Sequence, residues 1–153
     1  MFPEIERLYG QTTPAAIADL EIRLGLTLPT LYKDFLQATN GGRPIAPMFP
    51  IHGMDLNPFG VIQVFFGIDA KFDSSDVVKS NDLYRGGIPA GVILIACTGG
   101  ADYICLDLRN GGERVMFWDH RPYWGTGIWS ESDFYFIAGS FAEFLASLRP
   151  SIY

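Results

Sequence analysis

Asp119 and His120 stand side by side after an apolar run, and a carboxylate next to an imidazole is raw material for general acid–base catalysis. That chemistry needs a third group to be activated or to orient the base, and none follows at a characteristic spacing. His52 and Asp55 have a loosely metal-like spacing, but a metal centre needs three or four converging His, Cys or carboxylate ligands, and the chain has only 2 histidines. Ser130, Ser132 and Ser140 have no base nearby in sequence, and none lies in a G-x-S-x-G turn. Gly99-Gly100 and Gly111-Gly112 precede no helix and are followed by no Gly-Lys-Ser or Gly-Lys-Thr, so they read as turns rather than phosphate cradles. No catalytic residue, metal or cofactor is assigned. Asp119 and His120 read as strand-end residues that hydrogen-bond the following loop; a hydrolase built on the pair is the enzymatic alternative.

The same segment offers binding chemistry. All three tryptophans, Trp118, Trp124 and Trp129, fall here, accompanied by Tyr123, Phe134, Tyr135 and Arg121. Rigid amphipathic aromatics and arginine are the residues that dominate interface energetics. Phe117, Trp129, Phe134 and Phe136 are expected to face a core, whereas Trp118, Tyr123 and Trp124 lie near Gly and Pro and are expected to be exposed. Trp118, Asp119, His120, Arg121, Tyr123 and Trp124 are therefore the candidate partner-binding residues. The rival explanation for the whole segment is plain core.

Composition says what can position these residues. A chain of 153 residues, 48% hydrophobic and 18% charged, fits a single domain over residues 1–153 and excludes intrinsic disorder. A globule of this size buries about 68 to 70% of its unfolded surface, enough to offset the ordering entropy. The 17 acidic residues outnumber 11 Lys and Arg, giving a net charge of −6 with no basic cluster. That argues against direct nucleic-acid or membrane binding, both of which depend on clustered cations. The acidity either attracts a basic partner or simply keeps the protein dispersed. Residues 1–9 carry Glu4 and Glu6 and lack a secretory pattern, and no run approaches the roughly 18 apolar residues that span a bilayer; the cytoplasm is the expected location. Cys97 and Cys105 read as reduced strand residues.

Periodicity places the elements. Thr13 and Pro14 predict an N-cap and first helical position, followed by an Ile17, Leu20, Leu24 stripe that stops at Gly25. Leu28, Leu31, Tyr32, Phe35 and Leu36 predict a second helix ending at Asn40-Gly41-Gly42. The proline-rich stretch 43–58 reads as irregular loop. Val61 to Ile68 predicts a strand, and Ser74 to Tyr84 a short helix that buries Val77, Val78 and Leu83. Val92 to Cys97 is apolar enough for both faces to be covered, which predicts a central strand. Short glycine turns then join it to Tyr103–Leu108 and Arg114–Trp118 as an antiparallel meander. Ser140 and Glu143 match a capping box before the Phe141, Phe144, Leu145, Leu148 stripe of a C-terminal helix.

The order of these pieces resembles the SUKH superfamily, which includes fungal regulators of cell-wall glucan synthesis and bacterial immunity proteins against polymorphic toxins. Ile17-Ala18-Asp19-Leu20-Glu21 with Leu24-Gly25 and Leu28-Pro29 resembles its first helix and turn, and Tyr32-Lys33-Asp34-Phe35-Leu36 through Asn40-Gly41-Gly42 its second helix. Ile88-Pro89-Ala90-Gly91, Ile104-Cys105-Leu106-Asp107-Leu108 and Val115-Met116-Phe117-Trp118-Asp119-His120 resemble its strands, and Ile137 to Leu145 its closing helix. The chain departs from the pattern over residues 43–85 and at Gly100-Ala101-Asp102. The resemblance implies an α+β fold, a mainly antiparallel sheet flanked by two N-terminal helices and one C-terminal helix. It also implies a non-enzymatic binding protein whose partner is a protein, as in bacterial members that bind and block a toxin domain. A regulatory scaffold or small-ligand sensor is the alternative.

Overall fold

The computed structural model of the chain describes residues 2–56 and 58–152. Its helices and strands, in chain order, are β1 (Ile5–Glu6), α1 (Pro14–Leu24), α2 (Thr30–Thr39), β2 (Arg43–Pro44), β3 (Met48–Pro50) and β4 (Phe59–Phe65), then α3 (Val77–Leu83), β5 (Val92–Thr98), β6 (Tyr103–Asp107), β7 (Arg114–Trp118), α4 (Arg121–Thr126), β8 (Phe134–Ala138) and α5 (Phe141–Ser147). Strands β3 to β8 form one antiparallel sheet in chain order, and β1 pairs with β2 in a second. This is an α+β fold. The sheet curls until its ends nearly meet: the His52 N–H, two residues beyond β3, donates to Phe136 O of β8 at 2.9 Å. The outer side of β3 is occupied as well: Met48 and Arg149 exchange backbone hydrogen bonds at 2.9 Å.

Helices α1, α2 and α5 form where the sequence predicts them. The Thr13 hydroxyl accepts the Ala16 N–H at 3.1 Å, and α1 closes at Gly25 in the left-handed region. Helix α2 closes on Asn40, also left-handed, with φ 49°. The next two residues are glycines because the chain runs hard against its neighbours: a Cβ on Gly41 would stand 2.5 Å from Phe66 O, and one on Gly42 2.2 Å from Glu6 O. Packed this way, α2 and α5 cover one face of the sheet. Phe144 meets Phe49 and Phe65 with ring centroids 5.9 and 6.1 Å apart, and Phe141 meets Tyr32 and Phe35 at 5.3 and 5.4 Å.

Two buried asparagines extend the sheet where backbone pairing stops. Asn40 donates to Ile68 O at 3.0 Å and accepts the Ile68 N–H at 2.8 Å. Asn81, on α3, does the same to Leu94 of β5, at 2.9 and 2.8 Å. Each amide thus satisfies both backbone polar groups of a buried residue.

Three expectations are corrected here. The stretch 43–58 contains β2 and β3, with its prolines at the margin of the sheet where a missing N–H is tolerated. Leu83 is 71% exposed, because α3 turns Val77, Ser80, Asn81 and Tyr84 inward, an i, i+3, i+4, i+7 face whose central members are polar. Phe136 is 38% exposed, since it lies on β8 near the closing seam and meets the His52 ring.

Candidate functional site

The candidate segment begins inside the sheet. Cross-strand pairing sets Trp118 of β7 opposite Tyr103 of β6 and Phe134 of β8, so all three share one face. Trp118 stacks on Phe134 with centroids 5.8 Å apart and meets Tyr84 edge-on at 5.1 Å. It is 0% exposed, which overturns the expectation that it projects from a loop. The last residue of a strand still obeys the pleat, and its neighbour Phe117 points to the opposite face to meet Phe49. The Trp118 indole N–H has no hydrogen-bond partner among the described residues.

Asp119 and His120 are buried and take different hydrogen-bond partners. Asp119 accepts a bidentate pair of bonds from the Arg121 guanidinium, both at 2.8 Å, and also the Arg121 backbone N–H at 3.2 Å. Arg121 holds the Asp119 carboxyl below the usual carboxylate range. His120 directs Nδ1 toward Asp102 Oδ1 at 3.4 Å. Its ring is enclosed by Tyr103, Trp118 and Trp124, with centroids 5.1, 5.5 and 4.4 Å away. Asp119 thus bonds the residue that follows it, at the start of a helix rather than in a loop, whereas His120 turns back to Asp102 instead of to the segment after it. Tyr103 and Tyr84 pair through their hydroxyls at 3.3 Å; burial, reinforced by that bond, raises the Tyr103 phenol well above its ordinary value and keeps it neutral.

Helix α4 sits on this base. Pro122 lies in its first turn and Gly127 closes it in the left-handed region, so the punctuation that reads as loop is here the start and stop of a short helix. Tyr123 turns inward, half-buried against Tyr84 and Trp118 at 5.7 and 5.6 Å. Gly87 makes room for it: a Cβ there would stand 2.2 Å from the Tyr123 hydroxyl. Trp124 stands outward, 65% exposed, with its inner edge against His120, and Ile128 beyond the helix is exposed too. Trp129, expected to face a core, is half-buried. The arrangement is an exposed ridge on a rigid aromatic footing. Of the six candidates, Arg121 and Trp124 reach the surface, Tyr123 partly so, and Trp118, Asp119 and His120 support them from beneath.

Tyr84, Tyr103, Gly87 and Asp102 belong to the same site and were not legible as such, because they come from two other stretches that only the fold brings together. Beside the ridge lies a groove of about 510 Å³ between β4 and the β5–β6 turn, with Ile51 and Phe117 among its lining residues. A separate ion network closes the far end of β6. Buried Asp107 takes Arg109 at 2.9 and 3.0 Å and Arg114 at 2.6 Å. Burial pushes its carboxyl up, but the hydrogen bonds from Arg109 and Arg114 outweigh that and hold it at about 2. Among the described residues no three His, Cys, Asp or Glu side chains converge as a metal site. Nor is any helix long and apolar enough to cross a membrane.

Comparison with known proteins meets this geometry from outside. The model of the SMI1 / KNR4 family (SUKH-1) matches residues 11–147, from the approach to α1 to the end of α5. The chain belongs to the SUKH-1 family. It is also similar to the SPbeta prophage-derived uncharacterized protein YokK of Bacillus subtilis (strain 168), with 29% identity over 151 residues, covering 89% of this chain and 74% of that protein. The residues matched include those of the ridge, the groove and both asparagine bridges.

Proposed function

We propose that this SUKH-1 protein is a non-enzymatic binding protein that neutralises a protein toxin domain by direct occlusion, with α4 and the loop after it as the contact. The observation that carries the reading is the exposed Trp124 on a footing of His120, Trp118 and Tyr123. An aromatic held rigid before binding loses little entropy on contact and anchors the interface. Arg121, fixed by Asp119, adds a directed donor. A net charge of −6 suits a basic partner such as a nucleic-acid-processing toxin. The reading places the protein in the cytoplasm as a single functional unit, without cofactor or catalytic residue.

The test is co-expression with the toxin-like product of the neighbouring gene, scored by growth rescue and by co-purification of a complex. Rescue with a complex is expected, and Trp124→Ala should weaken binding by about 2 kcal/mol or more, a loss of roughly thirtyfold. The melting temperature should hold, because most of the indole is exposed. If an active toxin is neither bound nor blocked, the regulatory-scaffold or ligand-sensor reading takes its place.

A further inference from the structure

The groove beside the ridge has an apolar wall and one charge. Ile51, Phe59, Val61 and Phe117 supply the wall, and Asp102 is the one ionisable side chain among its described lining residues. Asp102 is held by the turn that carries it: its N–H donates to Thr98 Oγ1 at 3.2 Å, and its carbonyl accepts the Thr98 N–H at 2.9 Å. Its two carboxylate oxygens differ. Oδ1 faces His120 at 3.4 Å, whereas Oδ2 accepts no hydrogen bond from any described residue. The side chain is 16% exposed, enough to be reached and little enough to gain from pairing.

We propose that this groove receives an arginine side chain of the protein partner, its guanidinium on Asp102 Oδ2 and its aliphatic stem along Val61 and Phe117. The proposal rests on the binding reading above and names the chemistry that the partner presents. An anion would be repelled by Asp102, and a second copy of this chain would bring another net −6 against it. Arginine suits the site better than lysine, because a planar guanidinium can donate to the carboxylate while stacking on the exposed ring of Phe59 at the rim. Asp102 also touches the buried His120, on which Trp124 rests, so groove and ridge share one footing.

The experiment uses methyl-labelled protein titrated with N-acetyl-arginine amide and, in parallel, N-acetyl-norleucine amide. Saturable shifts of the Ile51 and Val61 methyl signals are expected with the arginine compound and not with norleucine. Asp102→Asn should weaken that binding about tenfold or more, and Gln63→Lys, which sets an ammonium in the groove without touching the turn, should do the same. Ile22→Ala, on the exposed side of α1, should leave it unchanged. Equal shifts with norleucine, no shifts with arginine, or binding that survives both groove variants would overturn the proposal. The two readings fail separately: growth rescue without arginine binding removes the groove alone, whereas arginine binding without rescue by an active-toxin assay removes the immunity role and keeps the groove.

Discussion

At the scale of single residues, two polar side chains hold positions that apolar ones would ordinarily take. Asn81 is buried, and its amide is the partner of both Leu94 backbone groups. Replacing it with leucine keeps the branched shape and leaves two buried groups unpaired, each costing about 1 to 3 kcal/mol. Asn81→Leu should therefore destabilise by about 2 to 6 kcal/mol, read as a lower urea midpoint at unchanged m-value. Asp107 gives a dependence on acidity. Its carboxyl is held at about 2, below its ordinary value of 3.8, so the folded state binds a proton less readily than the unfolded one. The resulting stability is fully present above about pH 4 and is lost as pH falls toward 2, a contribution of about 2 kcal/mol. Stability measured across that window should fall more steeply in the parent than in Asp107→Asn, whose curve should be flatter and lower at neutral pH.

At the scale of elements, α5 is the clearest case of sequence dictating structure. The Ser140 hydroxyl accepts the Glu143 N–H at 3.1 Å, as the motif predicts, while the Glu143 carboxylate reaches one residue further back, to Gly139 N–H at 3.0 Å. Ser140→Ala should cost about 1 kcal/mol. Phe144→Ala should cost about 3 to 5 kcal/mol by opening a cavity between Phe49, Phe65 and Phe141; thermal melts of the two variants should differ accordingly. The α1, α2 and α5 stripes and the β5–β6–β7 meander were legible because apolar spacing and turn residues agree there. Helix α3 was misread at Leu83 because half of its buried face is Ser80 and Asn81, invisible to a hydrophobic pattern. Trp118 was misread because nearby glycine and proline suggest a loop, whereas β8, far along the chain, pairs over it. The candidate site was legible as a segment and not as a surface: which side of the pleat each aromatic takes depends on registers that no local spacing encodes.

At the scale of the whole molecule, a net charge of −6 bears on association rates more than on the fold. If the partner is basic, its association rate should fall as salt rises from about 0.01 to 0.15 M, while dissociation changes little. Stopped-flow mixing at several salt concentrations would measure this, and a flat rate would remove charge steering from the account. The strand order has a different consequence, one that concerns how the chain is made. Every ladder of the six-stranded sheet joins chain neighbours, so each hairpin can close as it leaves the ribosome. The aromatic face of α2 cannot, because Tyr32 and Phe35 wait for Phe141 of α5. A nascent chain that has not yet released α5 leaves that face of α2 without Phe141, so a helix made early is sealed by one made late.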